Sequence, residues 1–291
     1  MALSSTNTRT TGASYIPRIL SDYILEIREK NLQAANFVTR RDMDLKGRGQ
    51  SVDFPVAQEL SAYSYADGDK LEDNLSVTTD SVKTITVSQV PMRPFLILDT
   101  LNVQAAADLK AQELKIAGYA VAKSIDTGIL AEIVDFSVNS IQNETTPTTA
   151  LALTNLIAAK YTLDANDVPE EERVWFFDPI VEKDMLGLSG NYFSSYDFSG
   201  AKGLVKGQLT SPVLGSPVVM TTNLPTGTSG SPATTYHKNA YFHKSALGVV
   251  MQKTVEVQSE YSVNFQGWLM NVRAMYGTTT LRTNHGVLIY R

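Results

Sequence analysis

The stretch VPMRPFLILD, residues 90–99, runs directly into the longest regular element that the sequence predicts. From about residue 99 to about residue 135 there is no proline, and apolar side chains recur near helical spacing. At a rise of about 1.5 Å per residue, an unbroken helix of this length would span roughly 50 Å. Gly118 and Gly128 are expected to bend or interrupt it. A helix this long indicates a backbone to which the other parts of the molecule attach.

The segment before this helix predicts an extended two-stranded ribbon. VDFPVA at residues 52–57 and VKTITVSQV at residues 82–90 have extended patterns, and Asp67-Gly68 between them is a turn signal. Threonine and serine occupy both faces of the second piece, so neither face offers enough apolar area for a sheet core. Because an isolated ribbon is marginally stable in water, we expect it to pack on its own domain or to rest on another molecule.

The residues that precede the ribbon predict an amphipathic helix over residues 15–38. Ile16, Leu20, Ile24 and Ile27 recur at three- and four-residue spacing, with charged side chains opposite them. No apolar signal-peptide core precedes this helix, and no apolar run approaches the roughly 20 residues of a membrane span. An unprocessed, soluble intracellular product is therefore expected.

The second half of the chain alternates helical and extended patterns. Residues 147–165 predict a second helix, followed by the acidic DVPEEER and the strand VWFFDP as an α/β unit. Short strands are expected over residues 204–225. Residues 226–235, TGTSGSPATT, have no charge and no large side chain, which predicts a mobile loop. From residue 241 onward the pattern is almost wholly that of β-strands, and the sequence has no internal repeat.

Composition excludes several classes of protein. The 291 residues include 43% hydrophobic and 19% charged side chains, which is typical of a folded protein rather than of a disordered chain, collagen or a coiled coil. The chain has no cysteine, so disulfides, thiolate nucleophiles, cysteine-ligated zinc and iron–sulfur clusters are excluded. With only three histidines, the chain has few candidates for a catalytic acid or base.

Charge is distributed unevenly along the chain, although the net charge is only -5. Residues 1–50 carry 8 basic and 5 acidic side chains and residues 237–291 carry 6 and 2, whereas residues 51–100 carry 3 and 8. Two explanations stay open: random variation of solvated charge, or contact between acidic and basic segments of different copies. The candidate contact residues are the acidic Asp67, Asp69, Glu72 and Asp73, the basic Arg40, Arg41 and Arg48, and the apolar Ile16, Leu20, Ile24 and Ile27.

Local motifs for catalysis and for nucleotide or metal binding are absent. No GxSxG, GxGxxG, Walker A or HExxH pattern occurs. His237 and His243 would share a face only within one regular strand, and the acidic clusters at residues 67–73 and 170–172 are more typical of solvated turns than of cation sites. The basic residues lack the interleaved aromatics of a single-strand nucleic-acid platform, which leaves only nonspecific phosphate contact. We expect no catalytic residue, no cofactor and no metal.

The order of these segments resembles the major capsid protein of tailed bacteriophages, which has the Hong Kong 97-type fold. IPRILSDYILEIREKNLQAANFV resembles the helix of its N-terminal arm, and GQSVDFPVAQELSAYSYADGD resembles the start of its extended loop. VPEEERVWFFDP, GSPVVMTTNLP and AYFHKSALGVVMQKTVEVQ resemble its axial domain and the return from it. The resemblance covers nearly the whole chain.

The resemblance implies an α+β fold with an N-terminal arm, an extended β-ribbon loop, a peripheral domain with a long spine helix, and an axial domain. The corresponding boundaries are 1–45 for the arm, 46–97 for the loop, 98–147 with 250–291 for the peripheral domain, and 148–249 for the axial domain. In such a fold, a β-ribbon without its own core would be stabilised by packing on a neighbouring subunit.

The function that the resemblance implies is structural. The protein would assemble through pentamers and hexamers into an icosahedral shell that encloses a double-stranded DNA genome, in a virion assembled in the host bacterial cytoplasm. Its partners would be other copies of itself, a separate scaffolding protein, a portal, decoration proteins and nonspecifically contacted DNA, without a membrane. Self-cross-linking would pair Lys70 with Asn264, Asn271 or Asn284. An encapsulin-type shell and a cytosolic α/β enzyme with dispersed carboxylates are the alternatives.

Overall fold

The computed structural model describes residues 33–41, 49–56, 62–64, 67, 70, 81–100, 109–142, 150–186, 212–229 and 234–291. These residues form two sheets, a separate two-stranded ribbon and three α-helices. The α+β fold class is confirmed. The description below refers to these residues only.

The first sheet has four strands in the order β1-β10-β11-β4. Its strands are β1 (Thr39–Arg40), β4 (Met92–Leu98), β10 (Leu247–Ser262) and β11 (Gly267–Thr280). β10 and β11 form one long antiparallel hairpin, and β4 pairs antiparallel with β11. The stretch VPMRPFLILD therefore supplies an edge strand, a position in which its prolines do not break a central ladder.

Helix α1 (Leu109–Ala131) packs on this sheet and confirms the predicted long helix. Residues 99–100 are also helical, and a 3-10 helix (Glu132–Asn139) continues from the end of α1. Of the two effects expected of Gly118 and Gly128, interruption is wrong, because the helix passes through both, and a bend stays a prediction. A Cβ atom at Gly128 would overlap the hydroxyl of Tyr276, so this glycine allows close contact between helix and sheet.

The second sheet has the order β5-β12-β9-β6-β7, with β8 paired to β9. Its strands are β5 (Ser140–Ile141), β6 (Arg173–Phe177), β7 (Val218–Met220), β8 (Thr226–Ser229), β9 (Thr234–His243) and β12 (Gly286–Tyr290). Helix α2 (Leu153–Ala165) precedes β6, and helix α3 (Pro179–Leu186) follows it. The predicted α/β unit is confirmed.

Strand β6 is buried on both faces and separates two hydrophobic clusters. Val174 and Phe176 belong to the cluster that includes α1, whereas Trp175 and Phe177 belong to the cluster that includes α2. This alternation explains the continuous apolar run VWFF, since a strand covered on both sides needs apolar residues at every position. Trp175 stacks on Tyr241 of β9 at a centroid distance of 3.7 Å.

The ribbon consists of β2 (Ser51–Val56) and β3 (Ser81–Thr86) in antiparallel register. The expectation that it has no core is wrong at its base. Ile85 and Val87 are buried against Val250 and Leu281 of the same chain. Val52 and Phe54 of β2 pack against the same cluster. The threonine-rich composition of β3 gives no sign of this contact, because Ile85 is its only fully buried side chain.

Two further expectations are corrected. Residues 226–229, expected in a mobile loop, form β8, which pairs antiparallel with β9 from Thr226 opposite His237 to Ser229 opposite Thr234. The predicted helix over residues 15–38 lies mostly outside the described residues, and its last part is instead a 3-10 helix (Ala34–Phe37) followed by β1. The backbone N–H of Ala34 donates to the Asp126 carboxylate at 2.9 Å, which anchors this turn on α1.

Candidate assembly surfaces

The turn between β10 and β11 presents large apolar side chains to solvent. Val263 is 76% exposed and Phe265 is 62% exposed. Gln266 has a positive φ of 45°, and its N–H donates to the carbonyl of Val263 at 3.3 Å, which closes the turn beneath these side chains. Turns normally carry polar residues, so two exposed apolar side chains here indicate a contact surface.

The strands below this turn extend the apolar surface. Tyr261 and Trp268 pack edge to face at a centroid distance of 5.5 Å, and both are partly exposed. The Tyr261 hydroxyl donates to Asp99 at 2.8 Å, and this bond raises the pKa of Tyr261. The Lys110 ammonium lies 5.3 Å from the Trp268 ring centroid. The hairpin end therefore holds a rigid aromatic pair between the turn and α1.

The sheet face opposite α1 is also partly apolar. Leu96 and Leu98 of edge strand β4 lie beside Leu269 of β11, and all three are exposed. Met92 continues this strip along the edge and is 54% exposed. An exposed apolar strip on an edge strand favours association with another chain.

A charged network lies beside this strip. Arg273 of β11 donates to Glu256 of β10 at 2.6 Å, and Lys253 lies 3.4 Å from the same carboxylate. The hydrogen bond from Arg273 lowers the pKa of Glu256. Asn271, one of the amides considered for cross-linking, lies on the same strand face as Arg273, and its Oδ1 atom is buried and accepts no hydrogen bond from the described residues. The face is therefore mixed in character, with charges along β10 and apolar side chains along β4.

Three of the predicted contact residues lie within the described structure. Arg40 donates to the sulfur of Met251 at 3.3 Å, and the Arg41 guanidinium lies 5.8 Å from the Phe54 ring centroid. Both arginines thus contact their own chain near the ribbon base. Asp67 is exposed. The predicted pairing of these arginines with acidic residues of another copy stays a prediction.

The other predicted contact residues lie outside the described residues. They are Asp69, Glu72, Asp73, Arg48, Ile16, Leu20, Ile24 and Ile27. The hairpin turn was missed by the sequence reasoning altogether. The signal that could have revealed it is SVNFQG at residues 262–267, a turn between two long β-patterns that carries valine and phenylalanine.

Side chains considered for metal or acid–base chemistry serve structural roles. His237 lies 3.2 Å from Asp178, and Glu170 and Glu172 pair with Lys160 and Lys244. Among the described residues, no three metal-ligating side chains of the His, Cys, Asp or Glu type come close enough to hold an ion. No helix in this part of the chain combines the length and apolar composition that crossing a membrane requires.

Comparison with known protein families identifies the family of this chain. A family model described as phage capsid protein matches residues 98–289, from the edge strand β4 to the last strand β12. The chain belongs to the phage capsid protein family. This capsid protein has no match among curated proteins.

Solved structures agree with the family. A structure from Mycobacterium phage Che8 superposes with a TM-score of 0.76 at 23% identity, covering 98% of each chain. The capsid structure of the cyanophage P-SCSP1u gives a TM-score of 0.76 at 19% identity, covering 100% of this chain and 96% of that one. The capsid of Ralstonia phage GP4 gives 0.67 at 12% identity, covering 99% and 98%. At these identities the likeness shows the fold, and the fold is the Hong Kong 97-type capsid fold.

Family and fold together assign the chain the role of a major capsid protein. Neither favours the encapsulin shell or the cytosolic enzyme. The role is structural, and multiple copies of the capsid protein build a shell. Its place in the virus is the capsid of the virion.

Proposed function

We propose that this capsid protein assembles through pentamers and hexamers into an icosahedral shell that encloses the double-stranded DNA genome of a tailed phage. The observation that carries the proposal is the apolar turn of the β10–β11 hairpin in a chain of the phage capsid family. The described part of the chain leaves Val263 and Phe265 exposed to solvent. Contact with another copy would bury these two side chains.

The proposed contact is head-to-tail, between this apolar surface and a different surface of the next copy. The hairpin turn and the β4 strip adjoin one another at one end of the sheet, because Leu98 of β4 lies opposite Gly267, directly after the turn. A contact between unlike surfaces repeats from copy to copy and forms a ring when the rotation closes. Pentamers and hexamers are rings of this kind.

We retain the division of the chain into an arm (1–45), an extended loop (46–97), a peripheral domain (98–147 with 250–291) and an axial domain (148–249). The long α1 helix on the β4–β10–β11 sheet supports the peripheral domain, and the α2–β6–α3 unit supports the axial domain. Strand β12 pairs with β9 of the axial segment, so the last strand joins the two regions.

The remaining parts of the proposal concern partners and chemistry. A separate scaffolding protein, a portal, decoration proteins and nonspecific contact with packaged DNA would complete the particle, and assembly would take place in the host bacterial cytoplasm. The proposal assigns no catalytic residue, cofactor or metal, and the ion pairs of Glu170 with Lys160 and of Glu172 with Lys244 support a structural role for these two carboxylates.

The test compares Phe265→Asp with Phe265→Leu. Charge at the turn should prevent burial against a neighbour, so the aspartate variant should remain as unassembled subunits or small oligomers, whereas the leucine variant should assemble. Electron microscopy and sedimentation measure assembly, and circular dichroism checks that both variants keep the parent fold.

Closed icosahedral shells from the parent and their loss in Phe265→Asp support the proposal. Parent yields of normal shells from the aspartate variant would show that the turn is not an assembly contact. Parent particles that enclose a cargo protein instead of DNA when isolated from infected cells would overturn the phage function itself.

A further inference from the structure

Two of the three histidines of the chain are joined through one serine. His243 Nδ1 and Ser245 Oγ are 2.7 Å apart, and Ser245 Oγ and His285 Nδ1 are also 2.7 Å apart. The backbone N–H of Ser245 donates to His243 Nδ1 as well, at 3.2 Å. His243 and His285 come from separate segments of the chain, so this cluster is a tertiary contact.

The hydrogen bonds fix which atoms carry protons. His243 Nδ1 accepts the Ser245 N–H, so it has no proton of its own. It therefore also accepts the Ser245 hydroxyl proton, and Ser245 Oγ in turn accepts Nδ1–H of His285. The chain of bonds runs from His285 through Ser245 to His243, and it requires a neutral His243. A proton on His243 Nδ1 would remove two hydrogen bonds at once.

The cluster lies at a junction of three parts of the molecule. Its serine belongs to the 3-10 helix Lys244–Ala246, which His243 caps. Within this helix the Lys244 carbonyl accepts a bond from Thr39 of β1 at 3.1 Å, and the Ala246 carbonyl accepts the N–H groups of Leu281 and Arg282. The Lys244 N–H donates to Glu172 before β6. This short helix therefore connects the arm, the axial sheet and the β11–β12 connection.

The outer half of strand β2 faces the same site across a cleft. A cleft of about 660 Å³ is lined by the cluster, by Phe54, Pro55 and Val56 of β2, and by Asn166 and Asp167 after α2. The ribbon residues in this wall are uncharged. The ribbon therefore borders the cluster across an open cleft.

The charges around the cluster oppose its protonation. Burial lowers the pKa of His243, and Arg173, Lys244 and Arg282 act in the same direction against the single opposing carboxylate of Glu172. Burial, followed by Arg282 and His243, lowers the pKa of His285 to about 4. Asp167 also lines the cleft, from the turn after α2.

We propose that His243, Ser245 and His285 form a proton-sensitive clasp that holds the 3-10 helix Lys244–Ala246, and with it the arm strand β1, to the β11–β12 connection at neutral pH and opens on acidification. Opening breaks the bonds of Ser245 to both rings and frees the 3-10 helix that connects these parts. Both Nδ1 atoms are engaged with the same serine, so the geometry suits proton sensing rather than metal chelation.

The direction of the pH effect follows from linkage. Both histidines have a lower pKa in the folded protein than their ordinary value, so the open state binds protons more tightly. The clasp is fully stable above the ordinary value of 6.5, and its stability is lost as pH falls from there toward the folded value of about 4 for His285. Acid therefore opens the clasp in a range where ordinary carboxylates are still ionised.

Amide hydrogen exchange of the full chain tests this inference. Between about pH 7.5 and about pH 5, opening in peptides over residues 234–250 and 281–291, corrected for the intrinsic exchange rate, should rise by about tenfold in the parent. His243→Asn/His285→Asn keeps an acceptor and a donor at these positions but cannot titrate, so its opening should stay constant. His237→Asn is the matched control, because it removes the remaining histidine, and it should behave like the parent.

Three results would overturn the clasp: no pH response in the parent, an equal response in the double asparagine variant, or loss of the response in His237→Asn. If the double variant does not fold, deuterium exchange at the Cε1–H of each histidine in the parent gives the answer directly. Titration of His243 and His285 at their ordinary value would then contradict the proposal. None of these measurements depends on shell assembly.

Discussion

Asp126 connects three parts of the chain through a single buried carboxylate. It lies on α1 and is only 4% exposed. One oxygen accepts the Ala34 N–H at 2.9 Å and the other accepts the Asn223 amide at 3.0 Å. The arm, the long helix and the connection between β7 and β8 therefore share one polar contact, and each donor would be unsatisfied without it.

Asp126→Ala should lower the free energy of unfolding by about 2 to 4 kcal/mol, because it leaves two buried donors without an acceptor. Asp126→Asn keeps one acceptor and should lose about half as much. Asp53→Ala, which removes only an exposed hydrogen bond to Thr84, is the control and should change stability by less than about 1 kcal/mol. Urea unfolding of the unassembled subunit measures all three. A loss for Asp126→Ala no larger than for Asp53→Ala would contradict this role.

Among the elements, the ribbon shows that a polar composition does not exclude burial. Strand β3 is rich in serine and threonine, but it packs on the body of the same subunit. Most of β3 faces solvent, yet Ile85 is fully buried and Val87 nearly so. Strand β11 comes close enough for this contact because Gly277 has no side chain, and a Cβ atom there would overlap the carbonyl of Thr86. The ribbon base is held within the subunit, while most of residues 57–80 lie outside the described structure.

Ile85→Ala should cost about 2 to 4 kcal/mol and increase hydrogen exchange across β2 and β3, because it empties the small cluster under the ribbon. Val82→Ala on the same strand is the matched control, since Val82 is 54% exposed, and it should stay within about 0.5 kcal/mol of the parent. Equal effects from both substitutions would show that the ribbon is not anchored by its own subunit.

At the scale of the whole molecule, charge and apolar surface act differently in assembly. The acidic segment around the ribbon and the basic ends of the chain could attract one another between copies. Each exposed pair is worth only about 0 to 1 kcal/mol, but a shell repeats the contact in every subunit. Salt screens these pairs, whereas it does not weaken burial of the hairpin turn.

Neutralising Asp67, Asp69, Glu72 and Asp73 to asparagine or glutamine should therefore slow assembly at low salt more than at high salt. The control neutralises four exposed acidic residues elsewhere, namely Glu113, Asp135, Asp167 and Glu171. It changes the net charge equally and should have a smaller effect. Light scattering at about 50 mM and about 500 mM salt measures the rates. Equal rates for parent and ribbon variant at both salt concentrations would exclude the charge contact.

The order of the elements and the family resemblance can be read from the amino-acid sequence alone. Period and composition are local properties, so the long helix, the α2–β6 unit and the β-rich end could be predicted from residues close together in the chain. The fully apolar run at β6 also predicted a buried strand, because no exposed strand tolerates it.

Which distant residues meet becomes visible only in the folded chain. Ile85 reaches Val250, Asp126 reaches Ala34 and Asn223, and His243 reaches His285 across long separations in sequence. The same holds for exposure, since Val263 and Phe265 could as well have been core residues. Burial depends on what the rest of the chain places beside a residue, and a local pattern carries no information about those partners.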